Sequence, residues 1–220
     1  STVNDSPVQD VAAFEELAKT HTLTRKLVIV SFENDLDSLR LAAKNPSRFP
    51  HIRHAAPASI LAKGAWTSRC GMCEWILLEG DFAARLNEAQ NASCIYYDPF
   101  SLHTDTGMWD RELFVRVREK CSAEGAKLFT YSAATKIRGT LLAAGFFVGR
   151  GPATGPKLDT TAAYTKIESV PHRASLLGSD WLDRWSRSES KFRDQASAEE
   201  RELIERLVTS HPQFAKAGEI

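Results

Sequence analysis

Three acids stand where apolar runs stop: Glu33 after Leu27-Val-Ile-Val-Ser-Phe, Asp81 after Trp75-Ile-Leu-Leu-Glu-Gly, and Asp98 after Cys94-Ile-Tyr-Tyr. A carboxylate at such a point accepts hydrogen bonds from the hydroxyl or amino groups of a ligand. It can also orient a neutral amine so that its lone pair faces an electrophile. Pro99 follows Asp98, and because proline lacks a backbone donor and cannot continue in a central strand, the acid is expected at the strand's carboxyl end. Phe82 follows Asp81 directly, while Phe100 and Trp109 lie at either end of the polar loop after Asp98. Aromatic side chains placed there wall a small acceptor or fill core volume. The plainer role for Asp98 is that of a turn former, since Asp before Pro commonly bonds nearby backbone.

Positioning three acids in this way requires strands that alternate with helices, because in open α/β sheets ligands bind in the crevice outside the strands' carboxyl ends. Val11, Phe14, Leu17 and Ala18 share one face of a predicted helix over 11–19. Leu27–Glu33 is nearly continuously apolar, as expected of a strand covered on both faces. Asn34 or Asp35 is placed to cap the following helix, in which Leu36, Leu39, Leu41 and Ala42 supply the buried stripe before Asn45-Pro46. A strand that ends in Glu and runs straight into a helix has the form of a ribose-binding corner. Farther on, strands are predicted at Trp75–Phe82, Cys94–Tyr97 and Ala126–Tyr131, and helices on Leu113, Phe114 and Val117 and over Thr135–Ala144. Phe146–Gly149 and Thr160–Thr165 flank a loop of glycine and proline, which suits a hairpin.

The alternation predicts an α/β fold with a mostly parallel, doubly wound sheet and an antiparallel last strand. After Ser175 the pattern turns helical: Leu176, Leu177, Trp181, Leu182 and Trp185 form an apolar stripe, and Ser197-Ala-Glu-Glu200 reads as a capping box. The expected organisation is therefore an α/β domain over 1–170 with a helical extension over 171–220 docked on it.

The 220 residues contain as many Asp and Glu as Lys and Arg, 28 of each, so no global positive field advertises nucleic acid. No apolar run approaches the ~20 residues that span a bilayer, and the first ten residues lack the basic and apolar parts of a secretory leader. The expectation is a cytoplasmic protein without membrane contact. Cys70-Gly-Met-Cys73 lies between two strand-like arms and reads as the tip of a hairpin turning at Gly71 rather than as a metal or redox site.

The three acids match what an adenosyl cofactor needs, and with the terminal hairpin the order resembles class I S-adenosylmethionine-dependent methyltransferases. More narrowly, the stretch from Tyr97 to Thr165 resembles the methyltransferase domain of the MnmC family, which finishes the methylaminomethyl group on the wobble uridine of tRNA. The residues that carry the resemblance are Asp98-Pro99-Phe100, Met108-Trp109, Leu113-Phe114, Thr130-Tyr-Ser-Ala-Ala134 and Ala144-Gly-Phe146. Pro99 stands where that family has glycine, which makes the corner similar also to the Asp-Pro-Pro-aromatic corner of amino-group methyltransferases.

The resemblance implies a Rossmann-like sheet of seven strands, S-adenosyl-L-methionine as cofactor, tRNA as partner and an amine nitrogen as acceptor. It implies Asp98 as the catalytic residue, cofactor contacts from Glu33, Asp81, Phe82, Asp98 and Pro99, and acceptor contacts from Phe100 and Trp109. Such folds begin with a strand and a glycine-rich turn before the helix corresponding to 11–19. Residues 1–10 contain no glycine, so both are expected to be missing from this sequence.

Overall fold

The computed structural model describes residues 6–20, 22, 24–99, 107–153 and 159–215. They fall into two compact units, Ser1–Gln90 and Asn91–Ile220. The helices after residue 170 belong to the second unit.

In the first unit the order is α1 (Ser6–Thr20), β1 (Leu27–Glu33), α2 (Asp37–Lys44), α3 (Ala55–Lys63), β2 (Ala65–Thr67), β3 (Cys73–Glu79) and α4 (Phe82–Arg85). β1 and β3 are parallel, in register from Leu27 opposite Cys73 to Glu33 opposite Glu79, and β2 runs antiparallel on the far side of β3. The β2–β3 turn passes through Gly71 at φ +71°, a left-handed conformation that glycine adopts without penalty, so Cys70 and Cys73 do lie at a hairpin. Val11, Ala56, Ile60, Cys73 and Trp75 form the core, and the Trp75 indole donates to Ser31 Oγ at 2.8 Å.

Two local expectations change in α2. Its N-cap is Leu36 with no side-chain bond, and Asp35 instead accepts from the Asp37 N–H at 2.8 Å. Leu36 and Ala42 are buried as expected, whereas Leu41 is 62% exposed because it lies two residues from Leu39, on the opposite side of the helix from the core-packed Leu39.

The second unit runs β4 (Cys94–Tyr96), α5 (Arg111–Glu119), β5 (Lys127–Thr130), α6 (Thr135–Ala143), β6 (Phe147–Arg150), β7 (Thr161–Tyr164), α7 (Ser179–Ser186) and α8 (Ala198–Thr209). Its sheet has the order β4-β5-β7-β6, with β4 parallel to β5 and β7 antiparallel to both of its neighbours. The described residues thus hold the seven expected strands and the antiparallel last one, but as sheets of three and four. Two pairings are parallel and three antiparallel. The hairpins expected at β2–β3 and β6–β7 are present, and a hairpin can only deliver an antiparallel neighbour.

The C-terminal helices are bound into this unit by specific contacts. Trp185 is fully buried, and its indole lies over Gly139 of α6 so closely that a Cβ there would come within 2.5 Å of Nε1. Gln213 acts as a substitute strand at the edge of β6: its Oε1 accepts from Val148 N–H at 2.7 Å, and its Nε2 donates to the Val148 and Leu177 carbonyls at 2.8 Å each. An exposed strand edge is an aggregation hazard, and this amide covers part of one.

Candidate active site

Each of the three acids occupies the carboxyl end of its strand. In the first unit, Glu33 closes β1, and Asp81 lies two residues beyond β3 on the same edge. Glu33 Oε1 accepts from its own turn, the N–H groups of Asn34 at 3.0 Å and Asp35 at 3.3 Å. Asp81 is the N-cap of α4, its Oδ1 accepting from Ala84 N–H at 2.7 Å. Each carboxylate therefore spends one oxygen on shaping its corner, and among the described residues the second oxygen has no partner. Phe82 is held edge-on against Phe32, with ring centroids 4.8 Å apart. Gly80 between them has φ +127°, a backbone that side-chain-bearing residues rarely adopt.

In the second unit, Asp98 emerges after β4, whose register continues one residue through the Tyr97 N–H bond to the Phe129 carbonyl at 2.7 Å. Beside it is a half-open pocket of about 170 Å³ lined by Tyr96, Tyr97, Asp98, Phe129, Thr130, Tyr131, Pro152 and Thr160. Tyr96 is 70% exposed and stacks on Phe129, and Tyr131 is 46% exposed. Drug-sized ligands occupy roughly 300–1,000 Å³, so this volume suits a single ring or a short side chain. The pocket combines one carboxylate, aromatic faces and two threonines, groups that stack on planar rings and accept hydrogen bonds.

Trp109 does not reach this pocket. It is buried, packed edge-on against Tyr97 and Phe114, and the Tyr97 hydroxyl donates to the Met108 carbonyl. Its bulk fills the space between β4 and α5, so the expected acceptor contact becomes a core contact. Phe100 lies outside the described residues, and Pro99 is half-buried next to Asp98. Sequence reading passed over Tyr96, Phe129, Pro152 and Thr160 as pocket residues. Tyr131 stood in the Thr-Tyr-Ser-Ala-Ala turn, but its part in a pocket follows only from the pairing of β4 with β5 and β5 with β7.

The family model for S-adenosyl-L-methionine-dependent methyltransferases matches residues 51–166, more than half of the chain. This chain belongs to that family. The methyltransferase is 35% identical over 81 residues to the tRNA 5-methylaminomethyl-2-thiouridine biosynthesis bifunctional protein MnmC of Polaromonas naphthalenivorans, which is 36% of this chain and 13% of that protein. It is 33% identical over 97 residues to the protein of the same name from Cupriavidus necator, 44% of this chain and 15% of that one. The matched segment thus spans less than a sixth of either curated relative. The crystal structure of MNMC2 from Aquifex aeolicus superposes with a TM-score of 0.59 at 21% identity, covering 90% of this chain and 61% of that one, a likeness of fold.

S-adenosyl-L-methionine is the cofactor of this family. In the first unit's corner the Glu33 and Asp81 carboxylates each keep an oxygen able to accept from a hydroxyl or amino group, and the Phe82 ring stands beside Asp81.

Proposed function

We propose that this methyltransferase methylates an amine nitrogen borne by a modified wobble uridine of tRNA. The observation that carries the reading is the pocket beside Asp98, small, aromatic and provided with one carboxylate. The names of the two curated relatives, both tRNA 5-methylaminomethyl-2-thiouridine biosynthesis proteins, support the choice of tRNA and of an amine.

When bound, the cofactor supplies an electrophilic methyl group on a sulfonium. Glu33 would accept from ribose hydroxyls, and Asp81 from the adenine amino group. Asp98 accepts an N–H from the acceptor amine, which turns the nitrogen's lone pair away from the carboxylate and gives the ammonium that develops a counter-charge and an acceptor for its proton. Tyr96 and Tyr131 hold the flat base, and Thr130 and Thr160 give the pocket wall a polar side. Positioning of this kind supplies on the order of 7 kcal/mol of a bimolecular barrier in favourable systems. The test is transfer of labelled methyl from S-adenosylmethionine to tRNA that carries the unmethylated side chain. Label in that RNA, and none in RNA without the amine, supports the reading; equal labelling of both overturns it.

A further inference from the structure

Arg138 of α6 is 5% exposed, and nothing in the methyl-transfer scheme uses it. Its guanidinium donates from Nε to Thr161 Oγ1 at 3.0 Å, and from Nη2 to Asp159 Oδ1 at 2.7 Å and the Thr160 carbonyl at 2.8 Å. Because Arg138 can only donate, the Thr161 hydroxyl must accept from it, and its own proton goes to the Ser132 carbonyl at 2.6 Å. On the other branch Thr160 Oγ1 donates to the Pro152 carbonyl at 2.8 Å, and Gly151 N–H closes on the Thr160 carbonyl at 3.0 Å. A Cβ on Gly151 would lie 2.3 Å from Thr160 Oγ1, so this crossing is tight.

Through the hydroxyls of Thr161 and Thr160, one cation therefore links two segments that line the pocket: the end of β5 and its turn, with Thr130 and Tyr131, and the strand-flanking stretch with Pro152 and Thr160. Burying a guanidinium against a half-exposed carboxylate is a poor way to gain stability, since an apolar side chain of similar size would fill the space without desolvating a charge. Its yield is geometric, because a planar fork with several donors fixes its acceptors in one arrangement.

We propose that Arg138 is the positioning residue of the acceptor pocket, setting the separation between the Tyr131 wall and the Thr160 wall. The proposal rests on the reading of this pocket as the acceptor site. In Arg138→Lys the charge remains and still reaches Asp159, but no ammonium satisfies Thr161, Thr160 and Asp159 with the same fork.

The experiment combines hydrogen exchange with kinetics on the full chain. In Arg138→Lys the amides of Tyr131–Ala134 and those of Gly151 and Ala153 exchange roughly tenfold faster, the scale of losing a charged hydrogen bond, while those of α8 are unchanged. The KM for tRNA rises about tenfold or more, since small misplacements at a reacting centre are costly, and the affinity for S-adenosylmethionine stays as it was. Unchanged exchange in the two segments, or faster exchange with an unchanged tRNA KM, overturns the proposal. Should Arg138→Lys fail to fold, Asp159→Asn loosens the same guanidinium from the surface, and the same two segments must then exchange faster. If the wild-type protein methylates no tRNA, the substrate reading falls by itself, and the exchange pattern alone decides whether Arg138 holds the two walls.

Discussion

Asp98→Asn keeps the size of the side chain and one acceptor oxygen while removing the charge that steadies a forming ammonium. Methyl transfer is expected to fall by about 10²-fold or more, the range for a positioned acid–base group, with the melting temperature preserved. A thermal melt beside a transfer assay separates the outcomes, and unchanged activity would return Asp98 to the turn-forming role. The three acids were legible in the sequence because an abrupt end to an apolar run is a local signal. What each carboxylate does with its two oxygens was not. Glu33 folds back on Asn34 and Asp35, and Asp81 caps α4, and both bonds depend on backbone angles that only the folded corner defines. Trp109 shows the converse case. Its type and place suggested a wall for the acceptor, whereas packing against Tyr97 and Phe114 consumes it.

Among the elements, those with long apolar periodicity were readable to within a residue or two: β1 over Leu27–Glu33, α6 from Thr135, and the Ser197 cap of α8, whose hydroxyl accepts from Glu200 N–H at 3.2 Å. The capping box is only half formed, because Glu200 turns to Arg193 at 2.8 Å. Pairing was harder to read, since a run such as Trp75–Leu78 does not say on which side β2 returns. Phe49–Lys63, broken by two prolines, hid α3. Pro57 is tolerated there because it falls in the first turn, where N–H groups have no helical partner. The packing of Trp185 on Gly139 leads to an element-scale prediction. Gly139→Ala would gain helix propensity in an exposed helix, but here its methyl meets Nε1 at 2.5 Å, within α6 and far from any chain end. The expected net result is destabilisation by about 1–3 kcal/mol, the scale of overpacking, measured by denaturant unfolding. A stabilised variant would mean that α7 is not seated on α6.

For the whole molecule, the balanced charge gives no sign of an RNA partner, and among the described residues no helix is long and apolar enough to cross a membrane. Acid sensitivity is expected at His211, which is buried between Phe147 and Phe214 and accepts from Gln213 N–H through Nδ1. Burial, and secondarily the charge of Arg118, push its pKa down to about 4 from 6.5. The unfolded chain therefore takes up this proton first as pH falls. The stability associated with neutral His211 is complete above pH 6.5 and is lost between 6.5 and about 4, amounting to about 3 kcal/mol. His211→Asn keeps a capping acceptor but cannot titrate in this range, so its unfolding free energy should depend less steeply on pH there; identical slopes would contradict the assignment.

The central claim is that an amine on a tRNA base receives the methyl group, and nucleoside mass spectrometry of tRNA treated with the protein and S-adenosylmethionine tests it most directly. The account predicts one added methyl on the side-chain nitrogen of the wobble uridine, accumulating about 10²-fold more slowly or worse with Asp98→Asn. A methyl on a ring carbon or a ribose oxygen, or unmodified tRNA in the presence of bound cofactor, would contradict it.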